Sequence, residues 1–384
     1  MIVHSPQTDV EQLRGVAQRM VADVQTELES ATDFDWSFFV EGQKRLPDAE
    51  DRRPSDFLDE AVRQLAKGPY DLVFVLTDVP LLARSDRIVP GLASPVTRIG
   101  ILSTRTLRTT PRGEPSRSYD AASLRWNLAT LFLHLLGHIL GLKHGSGGTV
   151  MEPYRFDPDR TSLPTFDPGV RETLARNAAR MVGEPSTEKG PIRQLLFHVQ
   201  STATYSSQVF DTLVRSRAIL LPLSLPQLST AAITPTLILM FSAESWDVGV
   251  HLPDFEAALF ASLSIVAATF YLTFVQRLFF PRRESESVTE HEAVMNTTVF
   301  LSVLSMMTGL FLLVCLVMLA IEFLIFPNDL ITNWPTLEDP QVDTVDLIRT
   351  AVFISTLGVL TGSLAGGLES RAFIRHLALF LDRP

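Results

Sequence analysis

The stretch HLLGHILGLKHGSGGTVMEP, residues 134–153, places three histidines, a glycine and a methionine at short, fixed spacings. His134 and His138 are four residues apart, and His144 follows six residues later. The chain has eight histidines in all, so this clustering favours a shared ligand over three unrelated side chains. The question that it raises is what the three imidazoles hold.

The residues before this stretch predict a long helix over 121–142, for which Ser118, Asp120 and Ser123 offer possible N-caps. Side chains four residues apart on a helix project from one face, so His134 and His138 can share an ion. Gly141 lets the chain leave the helix without a side-chain clash and returns His144 toward the same point. Three neutral imidazoles favour Zn²⁺ with a fourth coordination position left open.

The stretch resembles the metzincin zinc peptidases, whose helix and turn follow H-E-x-x-H-x-x-G-x-x-H and then a methionine turn. His134, His138, Gly141 and His144 match that pattern, and Met151 takes the place of the turn methionine. Within this family, residues 74–108 are similar to the segment that precedes the zinc helix in archaemetzincins. The resemblance covers about residues 1–180 and implies an α/β domain with a mixed sheet and a zinc-site helix.

Two departures limit what this resemblance implies. Leu135 stands where the family carries its general-base glutamate, and leucine can neither take nor deliver a proton. Glu152, the nearest carboxylate after the turn, is a weak candidate to replace it. Archaemetzincins also have cysteines that hold a second zinc, whereas the single cysteine here is Cys315, so no second zinc is expected. A domain that has lost its metal together with the glutamate stays an alternative.

The pattern of residues 1–190 predicts a separate α/β domain. Apolar residues recur at three- and four-residue steps from Val10 to Leu28, which is typical of an amphipathic helix. A second helix is expected at 56–67, and strands are expected at 34–40, 71–79 and 98–104. Residues 191–217 are interpreted as a linker.

The second half of the chain is apolar enough to meet lipid, and the mean hydropathy of the whole chain is +0.18. Residues 218–384 are therefore predicted to form an all-α transmembrane domain with about four helices, at 218–243, 257–280, 296–326 and 350–368. Prolines at 222, 226 and 235 predict a kinked or broken first helix. Residues 361–367, TGSLAGG, favour close packing within the bundle or between protomers, so a homo-oligomer is considered.

The distribution of basic residues predicts which side of the membrane each loop faces. Arginines precede the first span, close the second and follow the fourth, whereas residues 244–256 and 327–348 contain acidic residues and no lysine or arginine. Since basic residues stay on the cytoplasmic side, both the N-terminal domain and the C-terminus are expected in the cytoplasm, with the spans in the inner or plasma membrane. The net charge of −10 argues against a nucleic-acid partner.

Three functions follow as hypotheses. The first is a membrane-anchored pseudo-metallopeptidase that binds zinc and has a recognition, scaffold or regulatory role toward a protein or peptide partner. The second is an active zinc metallopeptidase with an unusual general base. The third is a transport or channel-like membrane protein whose cytoplasmic domain is structural.

Overall fold

The computed structural model describes residues 1–4, 10–42, 53–67, 70–83, 87–109, 117–179, 181, 200, 202–204, 206–279, 290–325, 343–365, 374–375 and 379–380. The chain forms two compact units, the first built mainly on Met1–Thr212 and the second on Leu213–Phe279 and Thr298–Ala378. The described elements of the first unit are β1 (Ile2–His4), α1 (Val10–Thr32), β2 (Glu41–Gly42), α2 (Leu58–Lys67), β3 (Val73–Thr77), β4 (Leu81–Leu82), β5 (Ile88–Val89), β6 (Gly91–Ser94), β7 (Ile99–Ser103), α3 (Thr104–Arg108), α4 (Ala122–Ile139) and α5 (Pro168–Ala179).

The first unit contains a five-stranded mixed sheet with the order β2-β1-β3-β7-β6. The pairs β1–β2, β1–β3 and β3–β7 are parallel, whereas β6 runs antiparallel to β7. Strands β3 and β7 are buried along their whole length. Strands that are buried on both faces appear in a sequence as continuous apolar runs, so these two strands could be predicted from the sequence. The α/β class of this region, with a mixed sheet, is confirmed.

Helix α1 buries one face in the core of the first unit, as its apolar spacing predicts. Leu13, Met20, Val24 and Leu28 are fully buried there, and Val16 is nearly so. The same core takes in most of α4, whose buried residues run from Leu124 to Ile139. The core thus fixes the helix that carries the first two histidines.

The predicted strand at 34–40 differs from the structure, in which only Glu41 and Gly42 pair as β2. Two aromatic residues before them, Trp36 and Phe38, pack inward instead. The Trp36 indole N–H donates to the Thr32 hydroxyl at 2.9 Å, and the Phe38 ring lies edge-on to Phe132, with 6.0 Å between centroids. Aromatic enrichment was therefore a signal of core packing here, not of strand pairing.

The start of α4 also differs from the sequence expectation. Its N-cap is Ala121, which makes no side-chain capping hydrogen bond. The Asp120 carboxylate instead accepts a hydrogen bond from Arg19 at 3.0 Å, which ties this turn to α1. None of Ser118, Asp120 and Ser123 serves as the N-cap residue.

The rest of the described chain is helical. Its elements are α6 (Ser206–Arg215), a 3-10 segment (Ala218–Ser224), α7 (Pro226–Met240), α8 (Ala243–His251), α9 (Asp254–Val275), α10 (Glu290–Leu324) and α11 (Thr344–Ala365). Three stretches are long and apolar enough to cross a membrane, namely Asp254–Val275, Ala293–Leu324 and Thr344–Leu364. A fourth span exists if Thr212–Ser224 and Pro226–Met240, which meet at a bend of 56°, count together.

Glycines bring the helices of the second unit into close contact. A β-carbon on Gly358 would lie 2.6 Å from Thr236 Cγ2, and one on Gly362 would lie 2.9 Å from the β-carbon of Ala232. These two glycines of α11 therefore face α7. Gly362, of the predicted small-residue stretch 361–367, serves packing inside the helical unit, and residues 366 and 367 lie outside the described residues.

Candidate metal centre

The three histidines of the opening stretch meet at one point. The Nε2 atom of His138 lies 3.1 Å from Nε2 of His134 and 3.1 Å from Nε2 of His144. His134 is fully buried, His138 is half-buried and His144 is exposed, so the cluster opens to solvent on one side. Among the residues that the structure describes, this is the group of three or more histidine, cysteine or carboxylate side chains placed to hold a metal ion.

Backbone carbonyls fix the ring nitrogens of the two helical histidines. Nδ1 of His134 lies 2.8 Å from the Val150 carbonyl oxygen, and Nδ1 of His138 lies 3.0 Å from that of Leu142. A carbonyl oxygen can only accept, so each Nδ1 must carry the proton and donate it. Each Nε2 then presents a lone pair to the shared point, as in metal sites whose ligands are oriented by outer hydrogen bonds.

The end of α4 delivers the third histidine. Gly141 has φ +81°, a left-handed conformation that glycine adopts without strain. The amide of Gly141 donates to the His138 carbonyl, and the amide of Leu142 donates to the Gly137 carbonyl at 2.8 Å. This hydrogen-bond pair is the Schellman arrangement, which ends a helix and reverses the chain. His144 therefore comes back to the face that carries His134 and His138.

Met151 packs directly beneath α4. It is 3% exposed, and its Sδ lies 2.3 Å from the point where a β-carbon on Gly137 would stand. The turn around it is closed by the Gly145 amide, which donates to the Met151 carbonyl at 2.9 Å. Val150, whose carbonyl orients His134, precedes it. The sequence pattern marked Met151 but not Gly137, although a glycine inside an apolar helix signals a close approach.

Leu135 is fully buried and points into the sheet. A β-carbon on Gly91 of the edge strand β6 would lie 2.9 Å from Leu135 Cδ1 and 2.8 Å from the Ile101 carbonyl oxygen. Leu131, one turn earlier, approaches the same glycine. The side chain that follows His134 is thus an apolar contact between α4 and β6, where it can transfer no proton.

Glu152 is exposed, and its carboxylate has a local structural partner. Its Oε2 accepts a hydrogen bond from the Gly148 amide at 3.1 Å, across the glycine-rich turn. Gly147 and Gly148 both have positive φ, so this turn needs its glycines and its carboxylate cap. The contact orders the loop between His144 and Met151.

The donor set fits Zn²⁺. Tetrahedral zinc with Zn–N bonds of about 2.0–2.1 Å requires nitrogen atoms about 3.3 Å apart, close to the two separations of 3.1 Å. Three imidazoles without a thiolate are typical of zinc sites that keep an open position. His134, His138 and His144 are therefore the residues that would hold the ion. Gly141 and Met151 shape its surroundings.

No protein-family model matches the sequence, and no curated protein matches it. The crystal structure of archaemetzincin from Methanopyrus kandleri is similar, with 23% identity and a TM-score of 0.34 over 47% of this chain and 94% of that one. A zinc-dependent peptidase from Methanocorpusculum labreanum (strain Z) has 19% identity and a TM-score of 0.33, over 45% of this chain and 98% of its own. The metal centre itself is supported by the histidine geometry.

Proposed function

We propose that this protein is a membrane-anchored, catalytically impaired zinc protein whose metzincin-like domain has a recognition, scaffold or regulatory role. The observation that carries the proposal is the pairing of a complete three-histidine cluster with a buried leucine at position 135. The group of side chains placed to hold a metal contains no carboxylate among the described residues. The site therefore has the side chains that bind a metal but lacks a described carboxylate that could transfer a proton.

The chemistry of peptide hydrolysis explains why this separation matters. A bound Zn²⁺ supplies a Lewis acid that polarises a carbonyl group. A carboxylate must still take a proton from the attacking water and give it to the leaving amine, a contribution of roughly 10²–10⁴-fold. Leu135 cannot do this, and the Glu152 carboxylate is engaged with the Gly148 amide. The proposal therefore assigns the zinc a structural or ligand-binding task.

The helical region gives the anchor part of the proposal its support. Three described helices have the length and composition of membrane spans, and their exposed faces carry large apolar side chains such as Phe255, Leu263 and Leu316. Lipid is the environment that such faces fit. The bilayer of an inner or plasma membrane is thus the proposed partner of this region, with both chain ends in the cytoplasm. A protein or peptide partner is proposed for the zinc domain, and self-association through the helical region is a further proposal.

The test combines metal analysis with a cleavage assay on the full chain in detergent. Wild-type protein should hold one zinc per chain, and His144→Ala should weaken zinc binding by more than the roughly 10–100-fold typical of outer-shell changes. His144 is exposed, so its loss leaves the core intact. His251→Ala, which removes another exposed histidine, is the matched control.

Each outcome of this test selects one function. Zinc binding without cleavage supports the proposal. Zinc-dependent cleavage supports the active metallopeptidase with an unusual base. Wild-type protein without zinc affinity would leave the cytoplasmic domain purely structural and move the function to the membrane helices, as in a transport or channel-like protein.

A further inference from the structure

The first unit contains a cavity that none of the zinc-site residues lines. Its volume is about 280 Å³. It lies beside the start of β1 and β3, between the segment that precedes β2 and helix α4. This size approaches that of small-molecule sites, which begin near 300 Å³. The cavity is therefore large enough for a small organic molecule.

Six of the described residues that line this cavity have aromatic side chains. Phe74 and Phe132 are buried against each other, with ring centroids 4.2 Å apart. Trp36 and Phe38 are half-buried and stacked, with centroids 6.3 Å apart. Phe39 is 55% exposed and lies against Tyr70. The exposure falls from Phe39 to Phe132, so the cavity has an open aromatic mouth and a closed aromatic base.

The charged groups of the lining are mainly acidic. Asp35, Glu41 and Asp71 line the cavity, and all three are exposed. Tyr70 donates a hydrogen bond to Glu41 at 3.3 Å, and burial raises the pKa of the Asp71 carboxyl while nearby Arg98 lowers it. The described lining includes no lysine or arginine side chain.

Among the described lining residues, the basic group is the α-amino group of Met1, which donates to the Phe39 carbonyl. Burial lowers its pKa to about 6, against an opposing effect of Glu41. Among the described lining residues, three carboxylates therefore face one basic group, and Arg98 lies near Asp71 outside this lining. A cation is favoured in this cavity, and an anion is disfavoured.

We propose that this cavity binds a small organic cation of the quaternary ammonium class. Aromatic faces attract such a cation through their quadrupoles, most strongly where water is excluded. The carboxylates at the mouth add Coulomb attraction, of which nearby Arg98 offsets a part at Asp71. A metal cation would need oxygen ligands closing around it, whereas the base of this cavity is made of carbon.

The test is calorimetric titration of the full chain, held in nanodiscs of phosphatidylglycerol, with choline and with its neutral isostere 3,3-dimethyl-1-butanol. Choline should bind about tenfold or more tightly than the isostere, since the two share shape and differ in charge. A second titration with phosphocholine separates a free cation from a lipid headgroup. The anionic phosphate should weaken binding if the free cation is the ligand.

Substitutions at Trp36 examine the wall of the cavity, and a substitution at Asp35 examines its mouth. Trp36→Phe keeps an aromatic ring and should retain binding, whereas Trp36→Ala should lose most of it. Asp35→Asn should weaken choline binding several-fold, and Asp33→Asn, at an exposed residue outside the lining, should leave it unchanged. Asp33 has φ 56°, which asparagine tolerates.

Equal affinity for choline and its isostere would overturn the proposal. A failure of choline to bind at all would also overturn it. Tighter binding of phosphocholine than of choline would also contradict it, because that result assigns the cavity to a lipid headgroup. Zinc content does not enter any of these measurements. The result for the cavity proposal is therefore independent of the result for the zinc proposal.

Discussion

Gly137 and Met151 are in a contact that no other residue at position 137 could keep. The Met151 Sδ lies 2.3 Å from the place of a β-carbon on residue 137, and Phe166 fills the adjacent space at 3.5 Å. This contact holds the turn that carries Val150, whose carbonyl orients His134. The metal centre therefore depends on a glycine that supplies no ligand atom itself.

Gly137→Ala tests this dependence. Helix propensity alone would favour alanine by about 1 kcal/mol, whereas overpacking against Met151 costs about 1–3 kcal/mol. We expect a lower melting temperature of the full chain in detergent and weaker zinc binding. Gly15→Ala in α1 is the matched control, since its β-carbon would meet only an Arg19 guanidinium nitrogen at 3.9 Å. In a Met151→Ala background the cost of Gly137→Ala should shrink, because the two effects are coupled.

Substitutions of Leu135 should lower the stability of the protein by amounts that depend on the polarity of the new side chain. Leu135→Met conserves volume and should cost less than about 1.5 kcal/mol. Leu135→Gln buries an amide against β6 without a described partner and should cost about 1–3 kcal/mol. Thermal unfolding measures both. Equal stability of the glutamine variant and wild type would show that the side chain faces solvent, contrary to its full burial.

The helical unit offers an independent test at Gly309. A β-carbon there would lie 1.8 Å from the Ile219 carbonyl oxygen, and backbone cannot move aside as a side chain can. Gly309→Ala should therefore destabilise the helical unit by about 1–3 kcal/mol or more. Leu316→Ala, on the same helix and 66% exposed, serves as the control and should change the melting temperature little. A neutral Gly309→Ala would contradict the packing of α10 against the 3-10 segment.

The number of spans decides the topology. Three spans place the chain ends on opposite sides of the membrane, whereas four spans, with the bent pair counted as one, place both ends on one side. From the arginine distribution we expect four, so reporters fused before Met1 and after Pro384 should both be active in the cytoplasm. A reporter inserted within 327–348 should report the other side. If the two reporters lie on opposite sides of the membrane, the chain has three spans, and the bent pair does not cross the membrane.

Much of this architecture could be predicted from the sequence because its signals are local. The apolar spacing of α1, the continuous runs of β3 and β7 and the long apolar helices each depend on neighbouring residues. The histidine spacing is local too, and a helix with a glycine C-cap brings those imidazoles together. Prolines 222 and 226 likewise predicted a break in the first apolar segment, where the structure has a bend of 56°.

The features that escaped prediction depend on residues distant in sequence. Strand β1 is three residues long and lies between β2 and β3, so only the completed sheet reveals it. Edge strand β6 begins at Gly91, whose missing side chain makes room for Leu135. The aromatic run at 34–40 has strand composition, but its Phe38 ring packs against Phe132 of α4. Tertiary packing overrode local preference at each of these places.

The central claim is that this chain binds zinc without hydrolysing peptides, and one measurement tests it most directly. Zinc-loaded wild-type protein and His138→Ala should be incubated with a library of unstructured peptides, with bound zinc and cleavage products measured in the same samples. The account predicts one zinc per wild-type chain, reduced occupancy in the variant and the same absence of cleavage in both. Zinc-dependent cleavage by wild type that disappears in His138→Ala would contradict it and assign the proton transfer to a carboxylate elsewhere in the chain.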